Sequence, residues 1–76
     1  MNELKQYVKE RDEALLSLDE KRILLFCKRY DIQVPQSSEA FWAGVHKAIL
    51  HLNAATWEQK QASYDWLMEH GFTADS

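Results

Sequence analysis

The side chains with the most reactive chemistry are three histidines, His46, His51 and His70, and one cysteine, Cys27. A zinc ion needs several nitrogen, sulfur or carboxylate ligands converging on one point. His46 and His51 are five residues apart, which turns them about 140° from each other on a helix, and no H-x-x-x-H pair exists. A lone cysteine excludes both an intramolecular disulfide and a cysteine-based zinc site. We therefore expect no metal and no cofactor. Cys27 with a histidine would make a nucleophile and base, but a reactive thiolate needs partial exposure and a positive environment. The apolar periodicity around Cys27 instead turns it toward a core. The carboxylate pairs Asp12-Glu13 and Asp19-Glu20 are adjacent, so on a helix they diverge instead of sharing a proton. With only two glycines there is no Gly-rich phosphate loop, dinucleotide fingerprint or nucleophile elbow. These absences point to a non-catalytic protein.

Recognition chemistry is more visible. Lys21 and Lys28 are seven residues apart, as are Arg22 and Arg29, so a helix carrying them places all four cations on one broad side with Leu18 and Leu25 among them. One reading is a solvated face whose leucines cover the preceding helix. The other is a surface for anions or an acidic partner, with an apolar centre at Leu25. A helix-turn-helix reader of DNA is disfavoured: the link after this helix, about residues 31–37, contains Pro35 and is longer than the usual tight turn. The next helix carries only Lys47 as a fixed cation. The net charge of −3 leaves nucleic-acid contact as a weak alternative, confined to Lys21, Arg22, Leu25, Lys28 and Arg29.

Several elements must position these groups. Seventy-six residues supply one core, so we expect a single helical domain over residues 1–72 and a disordered polar tail over 73–76. Asn2 can cap a first helix whose face is Leu4, Tyr7, Val8 and Leu15, with Arg11 in its middle, snorkelling or paired with a nearby carboxylate. Ser17-Leu18-Asp19-Glu20 reads as a capping box that starts a second helix at Leu18, with Ile23, Phe26, Cys27 and Tyr30 facing the core. Ile32 and Val34 alternate ahead of Pro35, which predicts an extended connector with one side tucked in. Ser37 or Ser38 then caps a central helix running to about Leu52, with Phe41, Trp42, Val45, Ala48, Ile49 and Leu52 on one face. Ala40, Gly44 and Ala48 form a small-residue ridge that a neighbouring helix can approach closely. Thr56-Trp57-Glu58-Gln59 is a second capping box. The fourth helix that follows has Trp57, Tyr64, Leu67 and Met68 as its expected core face, and Gly71 ends it with Phe72 folded back on Leu67.

Three residues do not fit those faces simply. Trp66 points roughly opposite the Trp57/Tyr64/Met68 side, Leu50 sits off the central stripe, and His46 lies four residues after Trp42, along the edge of its indole. Trp66, Leu50 and His46 are thus the candidate partner contacts of a small interaction module, possible also as a self-associating one.

The segment Glu39-Ala40-Phe41-Trp42-Ala43-Gly44-Val45-His46-Lys47-Ala48, following Asp31-Ile32-Gln33-Val34-Pro35, resembles short uncharacterised helical proteins of bacterial prophages and mobile elements. That resemblance implies a bacterial or phage-related setting and carries no site residue with it. With no apolar run of membrane-spanning length and no signal-peptide core, the expectation is a cytoplasmic, all-α, compact four-helix domain with an extended Pro-containing connector between helices two and three.

Overall fold

The computed structural model describes residues 3–72, and the regular elements in that span are helices: α1 (Glu3–Ser17), α2 (Glu20–Arg29), α3 (Ser38–Ile49) and α4 (Trp57–Glu69). The all-α architecture and the irregular connector around Pro35 agree with the sequence pattern. The expected Asn2 cap and the tail 73–76 lie outside the described residues. Among these helices none is long and apolar enough to cross a membrane. The helices pair in chain order, α1 with α2 and α3 with α4, in two compact units, one ending at Val34 and the other beginning at Pro35.

In the first unit the buried side chains are Ala14 and Leu15 of α1 and Ile23 and Phe26 of α2, with Cys27 and Tyr30 half-buried beside them. An aromatic trio fastens the helices: the Tyr7 ring meets Phe26 at 5.6 Å and Tyr30 edge-on at 4.9 Å, and Phe26 meets Tyr30 at 5.1 Å. Such pairs contribute about 0.5–1.5 kcal/mol each beyond the area they bury. Arg11 takes the nearest carboxylate, Asp12, at 2.9 Å, which leaves Asp12 half-buried and paired rather than solvated.

The junction between α1 and α2 departs from the expected capping box. Ser17 belongs to α1, where its hydroxyl donates to the Ala14 carbonyl at 2.6 Å and accepts from the Asp19 amide at 3.1 Å. Leu18 adopts a left-handed φ of 54°, and Asp19 caps α2 by accepting from the Lys21 amide at 3.0 Å. The second helix therefore starts at Glu20, not Leu18, because the serine is already engaged by the helix before it and the ionised aspartate takes over as the acceptor. At its other end α2 closes in a Schellman motif: the amide of Ile32 donates to the Cys27 carbonyl at 2.8 Å and that of Asp31, at φ 56°, to Lys28 at 3.3 Å. Both Ile32 and Val34 are exposed, so the connector tucks neither side in, contrary to the alternation.

In the second unit Ser37 caps α3 by accepting from the Ala40 amide at 2.9 Å, and Phe41, Val45, Ile49 and Leu52 are buried, with Trp42 and Ala48 half-buried. The small-residue ridge is not a packing surface. Ala40 and Gly44 are exposed, and a Cβ placed on Gly44 would meet no atom within 4 Å. Spacing fixed which residues line up, whereas the bulkier neighbouring line took the contact with α4. The second capping box forms as expected: Thr56 Oγ1 accepts from the Gln59 amide at 3.1 Å and Gln59 Oε1 from the Thr56 amide at 2.8 Å.

The expected core face of α4 is corrected. Leu67 is buried, but its buried neighbour is Ser63, while Trp57, Tyr64 and Met68 face solvent at 73%, 43% and 51% exposure. Gly71 ends the helix at φ 81°, its amide donating to Met68, and the Phe72 amide returns to the Leu67 carbonyl at 2.9 Å. The chain thus folds back on Leu67 as expected, and the Phe72 ring also lies along Trp66 at 6.1 Å.

Candidate functional site

The residues singled out from sequence fall into three places. The first is the interior of the second unit. His46 is buried, and its Nδ1 shares a 2.8 Å hydrogen bond with the equally buried Ser63 hydroxyl across the two helices. Trp66, half-buried, stacks on His46 at 4.6 Å and on His70 at 3.9 Å. The Trp66 carbonyl accepts from His70 Nδ1 at 2.8 Å, holding that imidazole in place. Trp42 stands farther from His46, at 6.1 Å, so the indole that His46 packs against is chiefly Trp66. Burial holds the His46 pKa below the ordinary imidazole value, and the charge of neighbouring His70 adds to the effect.

A hydroxyl within hydrogen-bond reach of an imidazole is the beginning of a nucleophile and base pair. Here Ser63 is 2% and His46 8% exposed, leaving no approach for a substrate carbonyl, so the pair joins helices. Ser63 was not among the residues the sequence singled out; its only signal was a small polar residue amid the apolar positions of α4. The Cys27 thiol is half-buried, less covered than its position predicted, and desolvation pushes its pKa up, away from thiolate reactivity. Among the described residues no group of three or more histidine, cysteine or acidic side chains is arranged to hold a metal.

The second place is the outer side of α2. Lys21, Arg22, Lys28 and Arg29 are all exposed, and Leu25 at 67% and Leu18 at 51% exposure stand among them. The arginines border an open cleft of about 240 Å³ with Leu25, Phe26 and the α1 carboxylates Glu10 and Glu13. Glu10 is the polar hub there. It accepts from Gln6 at 2.6 Å and from the Tyr30 hydroxyl at 2.9 Å, and faces the Arg29 guanidinium at 3.6 Å. The hydrogen bonds from Gln6 and Tyr30 lower its pKa, with Arg29 assisting, while burial raises that of Tyr30 and the bond to Glu10 reinforces the rise.

The third place was not assigned from sequence as a surface: the stripe Trp57, Gln61, Tyr64 and Met68 along exposed α4, bordered on one side by Glu58, Asp65 and Glu69. Of the three tryptophans, Trp57 is exposed, whereas Trp42 and Trp66 are half-buried. Leu50 is half-buried at the α3 C-cap, with its amide bonded to His46 and Ala48 carbonyls. Comparison with known proteins finds no family model, curated protein or solved structure that the chain matches.

Proposed function

We propose that this chain is a small, non-catalytic protein-interaction module whose contact surface is the Trp57/Tyr64/Met68 stripe of α4. The observation that carries the reading is the 73% exposure of Trp57, a side chain that dominates binding energy when a partner desolvates it. Tyr64 and Met68 extend the apolar strip along the same line of the helix, and Glu58, Asp65 and Glu69 give it a charged border. Trp66 and His46, by contrast, are stacked on each other, with His46 buried and Trp66 half-buried, so they offer a partner less surface than Trp57. A lone, half-buried cysteine with a raised pKa is compatible with a reducing, cytoplasmic setting.

The test is a pair of substitutions read in binding and in melting. Trp57→Ala should weaken association or partner capture while leaving Tm nearly unchanged, and Trp66→Ala should lower Tm. Binding that survives Trp57→Ala intact would sink the reading. Nucleic acid suits the basic side of α2 less well, because Glu10 and Glu13 share the cleft with Arg22 and Arg29. Anisotropy with random duplex DNA should show salt-sensitive, non-specific binding at most, with dissociation constants on the order of 10⁻⁴ M at physiological salt.

A further inference from the structure

Two exposed helix faces match in spacing and oppose in charge. On α4, Glu58 and Asp65 are seven residues apart, about 10 Å along the axis, and run beside Trp57 and Tyr64, which have the same separation. On α2, Lys21 and Lys28 have that separation too, and Leu25 lies midway beside them. The ion pairs among the described residues are Arg11 with Asp12 and Arg29 with Glu10, so Lys21, Lys28, Glu58 and Asp65 belong to none. Asp65 accepts a hydrogen bond from the Gln61 side chain at 3.0 Å.

Helix electrostatics explains only part of this layout. Lys28 near the C-terminus of α2 and Glu58 near the N-terminus of α4 each suit the local dipole. Lys21 and Arg22 do not, since they stand in the first turn of α2, where the exposed amide ends favour negative charge. Leu25, at the centre of the cations, borders the α1–α2 cleft but leaves two-thirds of its surface exposed. These residues are better placed for an acidic, apolar partner than for the helix that carries them.

Building on the interaction reading above, we propose that the partner is a second copy of this chain: the Lys21/Leu25/Lys28 face of α2 in one copy docks on the Glu58/Asp65-bordered Trp57/Tyr64 stripe of α4 in the next. With the lysines opposite the carboxylates, Leu25 falls over Gln61 between the Trp57 and Tyr64 rings, a side chain seated in a hole of facing residues. The contact joins two different surfaces, so it is head-to-tail, and each complex keeps one unfilled face of each kind. Association therefore extends with concentration unless the rotation between copies closes a ring.

Sedimentation of the full chain over a range of concentrations tests this. The weight-average mass should rise with concentration, and the rise should diminish as salt screens the paired charges. Lys21→Glu with Lys28→Glu, or Glu58→Lys with Asp65→Lys, should each weaken association by about tenfold or more, both sets being exposed and their folds checked by circular dichroism. The decisive variant carries all four reversals, which restores opposite charges across the contact and should restore association. A parent chain that stays monomeric throughout, or a fourfold variant no better than the two-residue ones while folded, overturns the proposal. If the parent is monomeric but still captures another protein in a Trp57-dependent way, the second copy is excluded and the interaction reading stands. If capture is also indifferent to Trp57→Ala, both fall.

Discussion

The two helical pairs place their polar fasteners at different depths. In the α3–α4 unit the fastener is interior: His46 and Ser63 meet at 2.8 Å with both side chains buried, roofed by the Trp66 indole. In the α1–α2 unit it lies at the boundary, where Glu10 gathers Gln6, Tyr30 and Arg29 beside an aromatic trio. An interior polar pair is costly to break on one side only, since the abandoned group stays desolvated, whereas water replaces a lost partner at the boundary. The α3–α4 unit is thereby specified more sharply than its partner hairpin, and it titrates in a different range.

The largest expected effects set the scale for both units. Leu67→Ala and Ile23→Ala each empty a fully buried position, 0% and 1% exposed, and should cost about 2–5 kcal/mol in denaturant unfolding. Next comes the fastener itself. Ser63→Ala removes only a hydroxyl oxygen, but it leaves the His46 Nδ1 unpaired in a dry interior and should cost about 1–3 kcal/mol. A neutral Ser63→Ala would mean that water reaches the imidazole and that the contrast in depth is false.

Acidification separates the units by pH window. The folded-state pKa of His46 lies below its unfolded value, so the unfolded chain takes up the proton more readily. Its contribution is complete above the ordinary imidazole value of about 6.5 and is lost as pH falls through that value toward the folded one. Glu10 is a carboxylate with a lowered folded pKa, so its contribution is present above the ordinary carboxylate range and disappears only as pH falls through the folded value. Thermal melts against pH should show the α3–α4 unit weakening first, and His46→Gln should flatten the dependence near neutrality while leaving the acid limb in place. The smallest effect concerns the outward side of α3. Gly44→Ala fills open space in a helix interior and should stabilise by about 0.5–1 kcal/mol; a loss instead would put a neighbour against Gly44.

What could be read from sequence was local. Ser37, the Thr56/Gln59 box and the Gly71 stop act through their own backbone neighbourhood, and the structure has each in its expected role. The Ile23/Phe26 side of α2 was legible because charges crowd its other side. Two side-chain acceptors, Ser17 and Asp19, compete at the first junction, and which of them caps α2 depends on how far α1 continues. The rotation of α4 was not legible for a different reason. Its largest apolar side chains, Trp57, Tyr64 and Met68, define one line, but the helix turned to bring Ser63 to an imidazole seventeen residues earlier in the chain. Summing hydrophobicity by face misses a hydroxyl that is buried because a distant histidine needs it.

The distribution of indoles has an optical consequence. Trp42, Trp57 and Trp66 all belong to the unit that begins at Pro35, whereas the chromophores of the unit ending at Val34 are phenolic and phenyl rings, Tyr7, Phe26 and Tyr30. Emission excited at the red edge of the absorption band thus follows one helical hairpin alone, while far-ultraviolet dichroism weighs both. The unlabelled chain carries its own two-channel readout, in which coincident curves identify a single cooperative transition and divergent curves resolve the hairpins one from the other.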